Sequence, residues 1–235
     1  MINERANINN IKEIRKKAIL KERRKRVLRK RIILSIAIIF ICFGILKFID
    51  VFGDSNSDSY GNIDISKDIN SLDIPLFLQG DKRWGNLKYG NDTIEKEGCG
   101  PTCLAMVVVG LTKDSSINPK VVADYSKKAG YYDGDYGTKW ALMTEGASNY
   151  NLNSYEVPLD ESSMINELKN GHPIICSVGP GHFTKTGHFI VLRGYTKDGE
   201  FKINDPNSKK RSEKTWSYKE ISSEIRGMWS FSYTK

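Results

Sequence analysis

The sequence predicts an α+β domain, with helices packed on an antiparallel sheet, preceded by one membrane-spanning helix. Two observations indicate this order: a basic tail and an apolar run begin the chain, and helical patterns precede strand patterns in the remainder. The turn sequence Thr196-Lys197-Asp198-Gly199 joins the last two predicted strands, so we expect that pair to be antiparallel. With 39% hydrophobic and 27% charged residues, the chain has the composition of a folded protein rather than a disordered or collagen-like one.

Local signals place the elements of this domain. Pro101 lies in the first turn of an apolar run, where a missing backbone N–H costs nothing. Asn118 has the character of a helix N-cap and is followed by Pro119. Segments rich in Ile, Val and Phe between glycines predict strands. The predicted helices are Pro101–Leu111, Asn118–Lys128, Lys139–Asn149 and Glu161–Lys169, and the predicted strands are Ile74–Leu78, Pro173–Val178, His188–Tyr195 and Glu200–Asn204.

The positive charge of the chain is concentrated in residues 1–31. This tail holds 13 Lys and Arg against three Glu, so its net charge of +10 exceeds the +8 of the whole chain. Residues 32–52 follow as an apolar segment interrupted near its end by Lys47, whose side chain can reach the headgroups. We therefore predict a transmembrane signal anchor at 32–52 with the basic tail in the cytoplasm. A cleaved signal peptide is the alternative, but the stretch before the apolar run is unusually long and no small-x-small cleavage site follows it.

The rest of the chain divides into a linker and a domain. Residues 53–72 are crowded with Ser, Asn, Asp and Gly and predict a flexible linker. Residues 73–235 have the size of one domain, which we expect outside the cell. Membrane lipid is the expected partner of residues 32–52 and of the basic tail, and no nucleic-acid partner is expected because the tail's charge already sets the membrane orientation.

Three cysteines lie in the predicted outer domain, and one of them has the setting of a nucleophile. An odd number leaves at least one thiol free. Cys103 and Cys176 lie inside apolar runs typical of buried structural cysteines, and a disulfide between them stays open. Cys99 lies between two glycines at the start of the predicted helix, where unpaired N–H groups and the helix dipole favour a thiolate.

A nucleophilic thiolate needs a base, and His188 begins a predicted strand at a fixed position. In an antiparallel hairpin the end of the second strand returns beside the start of the first, which brings Asn204 and Asp205 near His188. Neighbouring residues on a strand point to opposite faces, so only one of these two side chains can orient the imidazole. The order Cys, His, Asp is that of a nucleophile, a base and an orienting residue.

We expect no metal ion or other cofactor. A metal site built from Cys99, His182 and His188 lacks a close-spaced pair of ligands. His182 is expected in a surface loop, with a place in the wall of a cleft as the alternative, and His172 is expected to cap a helix end or lie on the surface. The four tryptophans are expected in the core or in a cleft wall.

Four segments of the outer domain together resemble the free-standing peptidase C39-like domain, a family of papain-like cysteine peptidases. These segments are Ile74–Gly85, Glu97–Met106, Gly187–Tyr195 and Asn204–Pro206. The resemblance implies a papain-like fold in which the helix that carries the nucleophile packs on an antiparallel sheet. It also implies Cys99 as nucleophile, His188 as general base, Asp205 as its orienting residue and Gln79 as an oxyanion-hole donor.

Together with the predicted anchor at 32–52, the resemblance leads us to expect a membrane-anchored extracytoplasmic peptidase or amidase that acts on a peptide, a protein or a cell-wall peptide. Two departures from the family pattern limit what the resemblance implies. Gln79 lies 20 residues before Cys99, whereas the double-glycine leader peptidases of this clan carry their glutamine a few residues before the cysteine. The sequence also lacks the transporter spans and ATPase module fused to those peptidases, so leader processing is not carried over. A catalytically silent module that binds peptide or cell wall, and a thiol acyltransferase, remain as alternatives.

Overall fold

A six-stranded antiparallel sheet forms the centre of the structure, a computed structural model that describes residues 63–69, 73–134 and 137–233. The α-helices in these ranges are α1 Ser66–Ile69, α2 Ile94–Glu97, α3 Cys99–Thr112, α4 Pro119–Lys128, α5 Glu145–Ser148, α6 Glu161–Lys169, α7 Lys209–Ser212 and α8 Tyr218–Ile221. The strands are β1 Lys88–Tyr89, β2 Asp92–Thr93, β3 Tyr132–Asp133, β4 Gly137–Thr138, β5 Leu152–Glu156, β6 Ile174–Val178, β7 His188–Tyr195, β8 Phe201–Asn204, β9 Thr215–Trp216 and β10 Ile225–Tyr233. The predicted α+β class is confirmed.

The central sheet has the order β5-β10-β6-β7-β8-β9, and every neighbouring pair is antiparallel. The predicted hairpin between β7 and β8 is present: Thr196 N–H donates to Glu200 O at 2.8 Å. Gly199 in that turn has a φ of 87°, which a glycine adopts without strain. The short pairs β1–β2 and β3–β4 form two separate ribbons.

Helix α3 packs on β7, and both elements begin at the same edge of the domain. The helix is buried from Gly100 to Gly110, so nearly all of its side chains contribute to the core. It is therefore apolar on all sides, as expected of a core helix rather than of an amphipathic surface helix. This packing places Cys99 at the start of the helix close to His188 at the start of the strand.

The sheet separates two apolar clusters, and the two buried cysteines lie in different ones. Cys103 belongs to the cluster that includes α3 and Ile175, whereas Cys176 belongs to the cluster on the opposite face with Ile190. Both thiols are free, because alternate residues of a strand point to opposite faces and Cys176 faces away from α3. The disulfide that the sequence left open is not formed.

Two predicted elements are wrong in type. Residues Ile74–Leu78 form no strand, because Pro75 lacks an N–H and the carbonyls of Ile74 and Pro75 accept from the side chain of Asn204 instead of from a neighbouring strand. The predicted helix Lys139–Asn149 is a 3₁₀ turn, Trp140–Met143, followed by α5, and Thr144 at φ −109° and ψ −88° separates the two.

The N-terminal predictions fall largely outside the described residues. No helix within 63–69, 73–134 and 137–233 combines the length and the apolar content needed to cross a bilayer. The predicted anchor at 32–52 and the basic tail at 1–31 lie outside these ranges. In the C-terminal part of the predicted linker, Ile65 is buried in the domain core, and Arg83 donates to Asp64 O and pairs with Asp68.

Candidate active site

Cys99 is the first residue of α3, two positions earlier than the predicted start of this helix. Its backbone N–H therefore belongs to the first turn, whose N–H groups have no partner within the helix and carry the positive end of the helix dipole. The glycines on either side permit close packing: a Cβ on Gly100 would lie 2.7 Å from Thr138 Cγ2, and one on Gly98 would lie 2.6 Å from Ile94 O. The thiol is partly exposed, whereas the other two cysteines in the described ranges are buried.

His188 connects this thiol to a buried carboxylate. Because a carboxylate only accepts hydrogen bonds, the Nε2–H of His188 donates to Asp205 Oδ1, at 2.9 Å. This bond occupies Nε2 and leaves Nδ1 for the Cys99 thiol, the other group that acts on this imidazole. Burial lowers the pKa of His188, but the bonds to Asp205 and Cys99 outweigh burial and raise this pKa to about 9.

Asp205 is fully buried, and each of its carboxylate oxygens is occupied. Besides His188, Oδ1 accepts from the N–H of Asn207 at 2.8 Å, and Oδ2 accepts from Nε of Arg211 at 2.5 Å. Its own N–H donates to Ser212 Oγ at 2.8 Å. Burial raises the pKa of Asp205, but the hydrogen bonds from these donors prevail and lower it below its ordinary value.

The structure decides between the two residues that the sequence offered as partners of His188. Asn204 faces away from the imidazole: its Nδ2 donates to the carbonyls of Ile74 and Pro75, and its Oδ1 accepts from Arg193 Nε at 2.9 Å. It therefore fixes the segment that leads to Gln79. Asp205 is the residue in contact with His188, and only one of the two makes this contact, as expected from the alternation of side chains along a strand.

Gln79 lies beside the Asp205–Pro206 turn. Its N–H donates to Pro206 O at 2.7 Å, and its side-chain Nε2 donates to Glu95 O at 2.5 Å. The side chain is 4% exposed, and its Oε1 has no hydrogen-bond partner among the described residues. An amide nitrogen carries two protons, so one N–H of Gln79 remains for a further acceptor.

Each of the other two histidines is held by a glutamate. His182 lies in the loop between β6 and β7, and both its Nδ1 and its backbone N–H bond Glu224 Oε1. Its ring packs edge to face on Trp216. His172 Nδ1 lies 3.0 Å from Glu167 Oε2. Across residues 63–69, 73–134 and 137–233, no group of three or more His, Cys, Asp or Glu side chains has a geometry that would hold a metal ion.

One residue beside the site, Arg211, was not singled out by the sequence, and Trp140 was expected only as one of four core or cleft-wall tryptophans. Arg211 follows two lysines, and such a basic run normally marks a solvated surface, so nothing local indicated that it binds Asp205. Trp140 is 47% exposed and packs edge to face on the buried Trp229, with ring centroids 5.2 Å apart. It lies two residues after Thr138, the residue in contact with Gly100. Trp140 is the tryptophan that fits a cleft wall, whereas Trp84, Trp216 and Trp229 are buried.

The chain is similar to one protein family and to several solved structures. No curated protein matches the chain significantly. Among solved structures, it is similar to a double glycine motif protease from an AMS/PCAT transporter in complex with the leader peptide, at 22% identity over 59% of this chain and 86% of that chain, with a TM-score of 0.43. It is also similar to Xylellain, a cysteine protease from Xylella fastidiosa, at 15% identity over 63% of this chain and 82% of that chain, with a TM-score of 0.43. The model of the Peptidase_C39 like family matches residues 71–233, which is well over half of the sequence. The chain therefore belongs to the Peptidase_C39 like family, and it is a cysteine peptidase-like hydrolase.

Proposed function

We propose that this protein is a membrane-anchored extracytoplasmic cysteine peptidase or amidase that hydrolyses a peptide or amide bond with Cys99, His188 and Asp205. One observation carries the proposal: a buried imidazole donates through Nε2 to a buried carboxylate and interacts with the thiol at the start of a core helix. This is the arrangement that an activated nucleophile requires, because the base contacts the nucleophile and a third group orients the base.

The first half of the reaction forms an acyl-enzyme. The Cys99 thiolate attacks the substrate carbonyl carbon, a C–S bond forms, and the carbonyl π electrons move to the oxygen. When this intermediate collapses, the C–N bond breaks and the His188 imidazolium gives its Nδ1 proton to the leaving amine. The amine departs, and a thioester and a neutral imidazole remain.

The second half restores the enzyme. Neutral His188 takes a proton from water, and the water oxygen attacks the thioester carbon. Collapse then breaks the C–S bond, which releases a carboxylic acid and returns the thiolate–imidazolium pair. Asp205 stays ionised throughout, because its role is to hold the ring with Nδ1 toward Cys99 and to stabilise the imidazolium.

The negative oxygen of both tetrahedral intermediates needs hydrogen-bond donors. The backbone N–H of Cys99, in the first turn of α3, is one donor. We propose the free N–H of Gln79 as the second, since Gln79 is buried, is anchored through its own N–H to Pro206 beside Asp205, and keeps one amide proton unused. The distance of 20 residues from Cys99 in sequence is no obstacle, because the fold brings Gln79 to the Asp205–Pro206 turn.

Incubation with peptides in H₂¹⁸O tests this function. Unstructured peptides and cell-wall stem peptides are offered to the full chain, with glycine methyl ester present as an acceptor amine, and the products are analysed by mass spectrometry. Hydrolysis places one ¹⁸O atom in each new carboxyl group. Exclusive formation of amides without ¹⁸O would show acyl transfer instead, and peptide that is retained but never cleaved would show a binding module.

Membrane anchoring is the other part of the proposal, and it rests on the basic tail at 1–31 and the apolar segment at 32–52. Cys99 serves as the reporter for its test, because its thiol is partly exposed while Cys103 and Cys176 are buried. A membrane-impermeant maleimide is expected to label Cys99 on intact cells. Labelling that requires cell lysis would contradict the extracytoplasmic placement, and Cys99→Ala provides the background.

A further inference from the structure

Arg211 makes direct contact with the buried carboxylate of the candidate triad. Its Nε donates to Asp205 Oδ2 at 2.5 Å, on the oxygen that does not contact His188. Asp205 has no solvent exposure, and the Arg211 side chain is 28% exposed, so the ion pair is shielded on the carboxylate side. An ion pair in such surroundings is screened much less than one on the surface.

The local fold holds Arg211 against Asp205. Arg211 is the third residue of the four-residue helix α7. Its N–H donates to Ser208 Oγ at 3.2 Å, and its carbonyl accepts from Trp216 Nε1 at 3.2 Å. From the same helix, Ser212 Oγ accepts the N–H of Asp205. The segment from Asp205 to Ser212 thus folds back on itself and fixes both ends of the ion pair.

We propose that Arg211 is a positioning residue for the reaction, one that keeps Asp205 ionised and turned so that its Oδ1 faces His188. This inference rests on the proposed function. Oδ2 has no other hydrogen-bond partner among the described residues, so without Arg211 the carboxylate can rotate and its second oxygen is buried without a donor. Arg211 therefore acts on the reaction through Asp205, without touching the substrate.

The electrostatic consequence has a definite sign. The titratable groups that lower the pKa of Asp205 are His188 from β7 and Arg211 from α7, and Asp205 in turn raises the pKa of the buried Cys103 thiol on α3. Removing the guanidinium removes a positive charge near both Asp205 and the His188 imidazolium, which raises the pKa of each. The pH window in which Asp205 is ionised and His188 is protonated therefore moves upward.

Two variants separate charge from geometry. Arg211→Gln removes the charge, and we expect kcat to fall about tenfold with KM unchanged, while the alkaline limb of the pH profile of kcat/KM, which His188 sets, moves upward by about one pH unit. Arg211→Lys keeps the charge and loses the planar guanidinium, so its pH profile is expected to match the wild type while kcat falls about threefold. Lys210→Gln, an exposed neighbour on the same helix, is the matched control and should behave as the wild type.

A purely structural role for Arg211 would lower stability without moving the pH profile. An Arg211→Gln protein that is folded by circular dichroism and has an unshifted profile would therefore overturn the inference, as would an equal shift in Lys210→Gln. The pH dependence of Cys99 alkylation is measured on the same proteins. If the wild type shows no activated thiol, the proposed function fails. If the wild type is active and depends on His188 but Arg211→Gln matches it, the inference about Arg211 alone fails.

Discussion

Replacement of Cys99 by alanine is expected to lower the kcat of peptide hydrolysis at least about a thousandfold. Cys99 supplies the only thiol in the described ranges that is partly exposed, and it interacts with His188. Alanine keeps the helix start intact, because its side chain is smaller than that of cysteine and it has a high helix propensity. The variant should therefore remain folded and bind peptides while leaving no ¹⁸O in products.

Cys103→Ala and Cys176→Ala are the matched controls for this prediction. Both thiols are fully buried in the two core clusters, and burial raises the pKa of each, which keeps them protonated and unreactive. Their removal leaves a small cavity and should reduce stability without removing hydrolysis. Hydrolysis that survives in Cys99→Ala but disappears in either control would contradict the assignment of the nucleophile.

The Asp205→Asn substitution is expected to reduce kcat by about a hundredfold or more. Asparagine can present an N–H to Nε2 in place of an acceptor, which favours the wrong imidazole tautomer and leaves the imidazolium without its counter-charge. The same change leaves Arg211 without its carboxylate. Asp198→Asn, in the exposed turn between β7 and β8, is the control of identical chemistry and should retain activity.

Asp205→Asn should also change how stability depends on pH. The pKa of Asp205 is lowered in the folded state, so its stabilising contribution is present above the ordinary value of 3.8 and is lost as pH falls through the lowered value. At pH 7 we expect the variant to lose about 3 kcal/mol in the free energy of unfolding, because one partner of a buried ion pair has been removed. Urea denaturation at pH 7 and in acid measures this difference. A difference that stays constant into strong acid would contradict the account of Asp205.

Local signals in the sequence predicted the two elements that carry the site. The Gly-Cys-Gly-Pro start of an apolar run indicated α3. Two apolar segments joined by a four-residue turn indicated the β7–β8 hairpin, which brings His188 to Asp205. The hairpin register excluded one of Asn204 and Asp205 without identifying which. That choice depended on the contacts of Asn204 with Ile74 and Pro75, about 130 residues away in the chain.

What the sequence could not predict depends on distant partners. Strand β10 lies between β5 and β6 in the sheet. Both neighbours are far from β10 in sequence, so no turn signal predicts that they pair with it. The segment Ile74–Leu78 has a strand composition, yet its carbonyls bind a side chain rather than a sheet. Arg211 has the sequence context of a solvated basic run, and only the turn that brings α7 back to Asp205 gives it a partner.

The rate at which iodoacetamide alkylates Cys99, measured as a function of pH, tests the central claim most directly. The full wild-type chain and its His188→Ala variant are compared, and mass spectrometry follows the alkylation. Only a thiolate reacts, and a free cysteine has a pKa of ~8.5. The account predicts that wild-type Cys99 reacts at a nearly constant rate well below that pH and up to about pH 9, where His188 loses its proton. In His188→Ala, the rate is expected to rise with pH as an ordinary thiol's does. A wild-type profile that follows an ordinary thiol, unchanged by His188→Ala, would contradict an activated Cys99–His188 pair and leave a binding module.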